Sequence, residues 1–383
     1  MSREVVIVSA VRTPVGKRKG VFRNIHPVEL ASYTLAEVVN RVGVERAVVE
    51  DIVMGCVTPI GEQGYNIGRL SALHAGFPIE VPAVTINRMC GSGQQALHFA
   101  VQEIKSGDMD VTIAAGVESM TRVAMLSDGN EQTIPPSLKG KYNFVHQGFS
   151  AELISEKWGI TRNDVDAYAL ESHRRAIAAI AEGCFSKEIV AVEGHDEAGN
   201  PVMIETDEGP RADTSLEKLA SLKTVFREDG VITAGNASQM SDGSAAILLM
   251  HDQKAKEMGV TPRARIVSQA VVGSDPTYML DGVIPATQKA LAKAGLRLNQ
   301  IDRIEINEAF APVVLAWQKA LDADLSKVNV NGGAIALGHP LGGTGAKLMT
   351  SLLHELERTN GRYGLLTICI GHGMSTATII ERI

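Results

Sequence analysis

The stretch Asn87-Arg88-Met89-Cys90-Gly91-Ser92-Gly93 joins a strand-like run, residues 83–86, to a segment with helical spacing, residues 93–106. Glycines allow backbone N–H groups to approach a reacting carbonyl because no Cβ stands in the way. Free N–H groups and the helix dipole at a helix start also favour a thiolate. The stretch therefore predicts an α/β fold with Cys90 as a nucleophile at a strand-to-helix turn.

Two further glycine-flanked stretches carry residues suited to thiolate chemistry. His339 stands in Gly338-His339-Pro340-Leu341-Gly342, and a second cysteine opens Cys369-Ile370-Gly371-His372-Gly373. Asn307 follows another strand-like run, and its amide can orient a water or a donor toward the same point. Two cysteines and one histidine suit a reaction in which one thiolate is acylated while another group moves a proton on a second substrate.

Composition narrows the class of protein. The chain has 383 residues, 45% of them hydrophobic, which predicts about two or three domains. A net charge of -7 provides no overall basic field for nucleic acid or an anionic membrane. The four cysteines show no disulfide or metal-ligand spacing, so we expect free thiols and no metal. The chain enters a strand-like run at its start, and no segment approaches about 20 apolar residues, so we predict a cytoplasmic protein without a membrane span.

Strands and helices alternate at both ends of the chain and indicate a duplicated α/β unit. In the first part, strand-like runs at 5–8, 51–55, 83–86 and 111–115 alternate with helical segments at 27–42 and 93–106. A similar order returns from residue 264, with helical segments at 283–295 and 345–358 and strand-like runs at 301–307, 328–331 and 364–369. Between the two lies a loop-rich insertion with one long helix, in which Val165, Ala169, Ala176 and Ile180 share a face. We predict an N-terminal core half at 1–118, an inserted domain at 119–240 and a C-terminal core half at 241–383.

From end to end, the sequence resembles the thiolases, that is, acetyl-CoA acetyltransferases and 3-ketoacyl-CoA thiolases. Ordered motifs over nearly the full length are far more specific than any one of them. The matching stretches are Arg12-Thr13-Pro14-Val15-Gly16, Asn87 to Gly93, Ala234-Gly235-Asn236-Ala237-Ser238, Asn307-Glu308-Ala309-Phe310-Ala311, Asn331 to Pro340, and the Cys369 stretch.

This resemblance implies two similar α/β halves in α-β-α-β-α layers with an inserted loop domain. It implies that Cys90 takes an acyl group from an acyl-CoA while His339 accepts its proton. Cys369 exchanges a proton with the α-carbon of acetyl-CoA or with its departing enolate. One oxyanion hole is formed by the N–H groups of Cys90 and Gly371, and the other by His339 and a water held by Asn307.

The resemblance also implies contacts to coenzyme A, which is a substrate and not a tightly bound cofactor. Ser238 matches a position beside the pantetheine arm, Arg211 a position against the adenine, and His146 a coenzyme A position on the inserted domain. Homodimers or homotetramers are usual in the family, which works in fatty acid and lipid metabolism, and a β-oxidation enzyme is a candidate partner.

Three residues depart from the family pattern. Ser375 replaces a glycine of the closing motif, where it can narrow the acyl pocket or tilt the loop. His372 adds an ionisable group beside Cys369, and Gln147 stands where methionine is common. Acyl chain length, the direction of the reaction and the choice between dimer and tetramer therefore stay open.

Other functions have weaker support. Gly91-Ser92-Gly93-Gln94-Gln95-Ala96 fits a dinucleotide fingerprint, but the acidic residue that usually closes the following strand is displaced to Glu118, and Cys90 goes unexplained. A non-catalytic acyl-CoA-binding or lipid-binding relative has Ser375 as its one hint. A ketoacyl synthase shares the nucleophile but has no need of Cys369.

Overall fold

The computed structural model describes residues 3–130 and 132–383. Residues 1, 2 and 131, which fall in the predicted first half and insertion, lie outside the described residues. The strands are β1 Val5–Arg12, β2 Gly16–Lys17, β3 Asp51–Gly55, β4 Ala83–Ile86, β5 Val111–Ser119, β6 Val192–His195, β7 Pro201–Ile204, β8 Ser241–His251, β9 Ala264–Gly273, β10 Arg303–Ile306, β11 Tyr363–Ile370 and β12 Met374–Arg382.

Helices alternate with these strands and cover their faces. None of the helices that the structure describes is long and apolar enough to cross a membrane. The helices are α1 Pro27–Asn40, α2 Ile67–His74, α3 Ser92–Ser106, α4 Pro136–Lys139, α5 Gln147–Trp158, α6 Arg162–Ala181, α7 Leu216–Ala220, α8 Asp252–Glu257, α9 Val283–Ala294, α10 Ala311–Leu321, α11 Ala334–Leu337 and α12 Thr344–Thr359.

The strands form two similar halves. The order in the large sheet is β10-β11-β12-β9-β1-β8-β5-β3-β4, and only two residue pairs join β1 to β9. In the first half β3, β4 and β5 are parallel and β8 is antiparallel to β5. In the second half β10 and β11 are parallel and β12 is antiparallel to β11. The run at 328–331 forms one bridge, Ile304 to Val328, instead of the expected strand.

Three apolar cores place these halves in five layers. One core lies between α1 and the outer face of the first half, and another between the outer face of the second half and α9 and α10. The third core contains side chains from both halves together with α3 and α12. The order is therefore helix, sheet, helix, sheet, helix, with α3 and α12 in the middle. Both faces of the strands are covered, which is why β5 is buried at every residue.

The two central helices meet at glycines. A Cβ on Gly345 of α12 would stand 2.0 Å from Gln94 N of α3, and a Cβ on Gly93 would stand 2.9 Å from Ala346 N. Every residue of α12 from Thr344 to Leu356 is buried, so this helix is covered on all sides. Backbone contact at glycines lets the first turns of α3 and α12 lie against each other.

The inserted segment is anchored to both halves. Arg12 of β1 is fully buried and pairs with Glu188 and Asp207 of the insertion at 2.5 and 2.7 Å. Helix α6 meets the second half, where Tyr168 and Ser172 donate to the Glu308 carboxylate at 2.8 and 2.7 Å. These contacts fix the insertion beside the carboxyl ends of the parallel strands.

Strand β8 bears on the predicted domain limits. Residues 241–383 were predicted to form the second half, yet β8 pairs with β5 and β1 of the first half. This pairing favours counting Ser241–His251 with the first half. The limits 1–118, 119–240 and 241–383 otherwise stay a prediction.

Replacing Gly345 by alanine should destabilise the protein by about 2–3 kcal/mol, because the added methyl group overlaps the backbone of α3. Urea unfolding followed by circular dichroism measures the change. Gly140→Ala is the matched control, since the nearest atom to its Cβ is 3.5 Å away and exposed substitutions of this kind cost less than about 0.5 kcal/mol. Equal stability of the two variants would contradict the close contact of α3 and α12.

Candidate active site

Cys90 lies in the turn between β4 and α3. Met89 adopts a left-handed conformation with φ 45°, and its N–H donates to Asn87 Oδ1 at 2.7 Å. Gly91 follows, and a Cβ there would stand 2.3 Å from Ile370 Cδ1 at the end of β11. The turn therefore presents Cys90 toward the second half of the molecule.

The thiol of Cys90 is protonated in the free site. Burial raises the pKa of Cys90 to about 11, although hydrogen bonds from the Gln147 side chain and from the N–H groups of Cys90 and Gly371 lower it. The N–H groups expected to favour a thiolate do lower the pKa of Cys90, but loss of solvation outweighs them. A base is needed to remove this proton.

His339 is held in one orientation. Gly338 has φ 94°, and a Cβ there would stand 2.2 Å from Ser241 Oγ, so only glycine fits. His339 Nδ1 is 2.6 Å from Thr344 Oγ1, whose hydroxyl donates to Pro340 O at 2.9 Å. Because that hydroxyl gives its proton to Pro340, it accepts from His339 Nδ1–H. His339 Nε2 therefore carries the lone pair.

The imidazole of His339 is neutral and ready to accept a proton. Burial and, to a smaller extent, the positive charge of Lys347 lower the pKa of His339 to about 3. Nε2 lies 3.4 Å from Asn307 Nδ2, consistent with donation by the amide. The same ring nitrogen is the one that can serve as the base.

Asn307 links His339 to Cys369. The Asn307 amide and Ala309 N–H also donate to the Cys369 sulfur. Burial raises the pKa of Cys369, and ionisation of Cys90 raises it further, so the two sulfurs are electrostatically coupled. Asn307 Oδ1 is buried without a hydrogen-bond partner among the described residues, which leaves it free to accept from a bound water.

Gly371 lies between the two cysteines and an inserted helix. Its N–H donates to the Cys90 sulfur. A Cβ on Gly371 would stand 2.9 Å from Gln147 Nε2 and 3.0 Å from Met89 Sδ. Gln147, one of the departures from the family pattern, therefore lies against the backbone of Gly371, whose N–H donates to Cys90.

The other two departures occupy different surroundings. Ser375 is opposite Cys369 in the β11–β12 pair, and its hydroxyl donates to Ile368 O at 2.6 Å. This bond gives the buried Ile368 carbonyl a donor, and Ser375 itself is fully buried. His372 is exposed, has φ 61°, and makes an edge-to-face contact with Phe144 of the insertion at 5.8 Å.

Two of the residues predicted to contact coenzyme A lie along one aromatic cluster. His146 caps α5 and stacks on Phe226 at 5.1 Å. Phe226 contacts Phe310 edge to face at 6.2 Å, and Phe310 pairs with Ala237, the residue before Ser238. Ser238 N donates to Ala309 O at 3.0 Å, which connects this surface to the Asn307 loop.

Arg211 is exposed on the insertion. Its backbone N–H donates to His173 Nδ1 at 3.1 Å. Burial and, to a smaller extent, the charge of Arg211 lower the pKa of His173 to about 4. Gly209, two residues earlier, accepts from Gln239 Nε2 at 3.0 Å, so Arg211 and Ser238 belong to adjoining segments.

All four cysteines are free thiols. Within residues 3–130 and 132–383, no group of three or more His, Cys, Asp or Glu side chains is placed to hold a metal ion. The predicted absence of a metal and of a tightly bound cofactor stays a prediction.

Comparison with known proteins identifies the family. Residues 5–253 match the family description "Thiolase, N-terminal domain" and residues 260–382 match "Thiolase, C-terminal domain". The chain belongs to the thiolase family. It is thus an enzyme of the acyltransferase class, and its layered α/β architecture is the thiolase fold.

Relatives of this thiolase match along nearly their whole length. A steroid 3-ketoacyl-CoA thiolase of Mycobacterium tuberculosis is 48% identical, over 99% of this chain and 94% of the relative. The crystal structure of the Bacillus anthracis acetyl-CoA acetyltransferase is 41% identical with a TM-score of 0.92, covering 100% of this chain and 99% of that one. Human mitochondrial 3-ketoacyl-CoA thiolase in complex with CoA is 38% identical with a TM-score of 0.91, covering 100% and 98%.

Two residues of this thiolase site were not predicted from the sequence. Thr344 fixes the His339 tautomer, and Ala309 N–H donates to Cys369, but neither was singled out. Thr344 lies five residues after His339 and is the first residue of α12. A threonine at the predicted start of the helix that follows the histidine is therefore a signal in the sequence. The catalytic and coenzyme A roles assigned to individual residues remain predictions.

Alkylation of Cys90 by iodoacetamide should accelerate about tenfold per pH unit between about pH 7 and 10, because the thiolate fraction grows in that proportion when the pKa is about 11. Peptide mass spectrometry of pulsed samples measures the rate, and prior addition of acetyl-CoA should protect Cys90. Cys184, which is partly exposed, serves as an internal reference in the same digest. A plateau below about pH 8 would show a preformed thiolate and contradict the burial effect.

Proposed function

We propose that this thiolase cleaves 3-ketoacyl-CoA with coenzyme A to give acyl-CoA and acetyl-CoA, and catalyses the reverse condensation of acetyl-CoA, through an acyl-Cys90 intermediate. One observation carries the assignment. Asn307 contacts both His339 Nε2 and the Cys369 sulfur, while Gly371 N–H, two residues from Cys369, reaches the Cys90 sulfur. Base and second thiol thus share the Asn307 amide, and the nucleophile is bonded to the turn that follows the second thiol.

Acylation begins with the Cys90 thiol. His339 Nε2 takes its proton, and the sulfur attacks the keto carbon of the substrate. The N–H groups of Cys90 and Gly371, which already point at the sulfur, stabilise the oxyanion that forms beside it. Cleavage of the carbon–carbon bond leaves the acyl group on Cys90 and releases the enolate of acetyl-CoA.

Cys369 supplies the second proton transfer. Burial and the neighbouring Cys90 raise the pKa of Cys369, so it is a thiol that can protonate the departing enolate. Its thiolate then takes the proton of coenzyme A, whose sulfur attacks the acyl group on Cys90. The Cys90 thiolate leaves and regains its proton from His339. Both thiols are restored, and the cycle balances.

Binding of coenzyme A is proposed along the aromatic cluster described above. His146, Ser238 and Arg211 lie on the insertion and its adjoining loop, and Ser238 is one hydrogen bond from the Asn307 loop. The human relative was solved in complex with CoA. That complex supports a coenzyme A site here and supports roles for these residues as contacts.

The alternative functions explain fewer of these contacts. A non-catalytic acyl-CoA-binding relative has no use for a neutral His339 oriented by Thr344. A ketoacyl synthase has no use for the second thiol, Cys369, or for its two hydrogen-bond donors. Ser375, the one hint of lost activity, is engaged in the strand pair.

The variant Cys369→Ala should still become acylated at Cys90 but lose thiolysis and the exchange of the acetyl-CoA α-proton, because the second proton carrier is gone. Mass spectrometry detects the acyl-enzyme, and NMR in deuterated water follows the exchange. Cys184→Ala, which removes a thiol outside the site, is the control and should keep full turnover. Thiolysis by Cys369→Ala at the wild-type rate would remove the proposed role.

A homodimer is proposed through the free edge of the sheet. Strand β4 ends the strand order, and beside it Val84 and Phe99 are 42% and 38% exposed and line one surface cavity. Exposed edges and apolar patches of this kind are commonly covered by a partner. Tetramers and association with a β-oxidation enzyme are further proposals. Cytoplasmic location is proposed from the four free thiols, which suit a reducing compartment.

Val84→Lys should shift the protein from dimer to monomer, because a charge at the centre of the apolar edge opposes burial against a second copy. Light scattering after size-exclusion chromatography measures the mass. Met203→Lys, at an exposed apolar residue of β7, is the control and should leave the mass unchanged. A dimer of undiminished stability in Val84→Lys would place the interface elsewhere.

A further inference from the structure

Glu118 is a buried carboxylate next to the proposed active site that has no part in the mechanism described above. It lies near the end of β5 and is 1% exposed. Its Oε2 accepts from Val57 N and Gly342 N, both at 2.9 Å. Its Oε1 accepts from Thr58 N at 3.1 Å and from Gln63 Nε2 at 2.8 Å.

One of these bonds holds the His339 turn. Gly342 lies three residues after His339 and belongs to the second half of the molecule, whereas Glu118 belongs to the first. A Cβ on Gly342 would stand 2.6 Å from Val117 O and 2.7 Å from Cys56 Cα. Gly342 therefore sits directly on the ends of β5 and β3, and the Glu118 carboxylate fixes it there.

Another bond leads to the Cys90 turn. Val57, whose N–H donates to Glu118, accepts at its carbonyl from Asn87 Nδ2 at 2.9 Å. Asn87 Oδ1 in turn accepts from Met89 N at 2.7 Å. Met89 has a positive φ and directly precedes Cys90, so this chain of bonds ends at the residue that orients the nucleophile.

We propose that Glu118 is a positioning residue that sets the Cys90 turn and the His339 turn relative to each other. Its two Oε2 bonds reach both turns, one through Gly342 and one through Val57 and Asn87. Proton transfer from Cys90 to His339 requires the two turns to hold the sulfur and the ring nitrogen at the right distance and angle. Small displacements of reacting atoms slow such steps strongly. The inference rests on the proposed function, since it needs Cys90 and His339 to react with each other.

The chemistry of the four donors makes the carboxylate hard to replace. Four partners present N–H groups, for which an ionised carboxylate has acceptor sites, and the Cys56 thiol is a fifth, weak partner at 4.0 Å from Oε1. A glutamine at this position has nearly the same shape but turns an NH₂ group toward two of the donors. Glu118→Gln therefore removes acceptor capacity with little change in volume.

Glu118→Gln should lower the rate constant for acylation of Cys90 by acetyl-CoA by about ten- to a hundredfold, as loss of an orienting partner typically does. The KM for acetyl-CoA should change by less than about twofold, because no contact to the substrate is removed. Rapid quenching with intact-protein mass spectrometry measures acylation, and a steady-state assay measures KM. A general loss of structure would instead raise KM and lower the unfolding midpoint together.

Asp302→Asn is the matched control. Its carboxylate also accepts from two backbone N–H groups, Arg362 N at 2.8 Å and Tyr363 N at 2.9 Å, but at the start of β10, away from Asn307. It should acylate at the wild-type rate. An equal fall in Glu118→Gln and Asp302→Asn would overturn the positioning role.

Asn87→Ala tests the same chain should Glu118→Gln fail to fold. Asn87 is exposed, so its loss should be tolerated, and acylation should slow because Met89 N loses its acceptor. Combined with Glu118→Gln, the effect should be less than additive, since both act on one network. Acylation of Asn87→Ala at the wild-type rate would contradict the proposal.

Failure of this inference is distinguishable from failure of the proposed function. If wild-type protein forms no acyl-Cys90, the proposed function is wrong. If wild-type protein and Glu118→Gln are acylated equally fast, the function stands and the positioning role of Glu118 is wrong.

Discussion

Backbone contact between the two central helices is the constraint on which the rest of the structure depends. Gly93 and Gly345 allow α3 and α12 to touch without intervening side chains. Cys90 lies just before the first of these helices and His339 just before the second. Two motifs separated by most of the sequence thus meet because the helices that follow them share one glycine contact. A bulkier residue at either glycine would separate the turns before it changed any reacting group.

Burial then sets the resting chemistry of the site. Loss of solvation disfavours charge on every group it covers, so it keeps the thiols of Cys90 and Cys369 protonated and the imidazole of His339 neutral. The nearby N–H donors oppose this effect without overcoming it. Such a site has low reactivity when empty, and negative charge is stabilised when a substrate oxyanion or a sulfur anion forms beside the donors. Burial thus accounts both for the low reactivity of the thiols toward alkylating reagents and for the strength of the donors when an anion forms.

The sequence allowed the fold to be predicted well where pattern and motif agree, as in α1, α3, β5 and β11. Strand β8 was missed because it begins with small residues, among them Gly243, Ala245 and Ala246, and shows no alternation of polar and apolar side chains. Its pairing with β1 and β5 nevertheless completes the first half. The four side chains proposed to act in catalysis were predicted from motifs. Glu118 was considered only as a possible cofactor ligand. Its partners Val57 and Gly342 donate through backbone N–H groups, which every residue except proline has, so the residue types do not reveal the contact. Contacts of that kind depend on the assembled halves and are not visible in a linear pattern.

The burial of α12 from Thr344 to Leu356 has a consequence for the independence of the two halves. Each half of the sheet brings one helix to the middle layer, and that helix is covered on its remaining side by material from the other half. One half alone would expose that side to water. Neither half is therefore expected to stay folded by itself, because the surface between the halves is part of the apolar core.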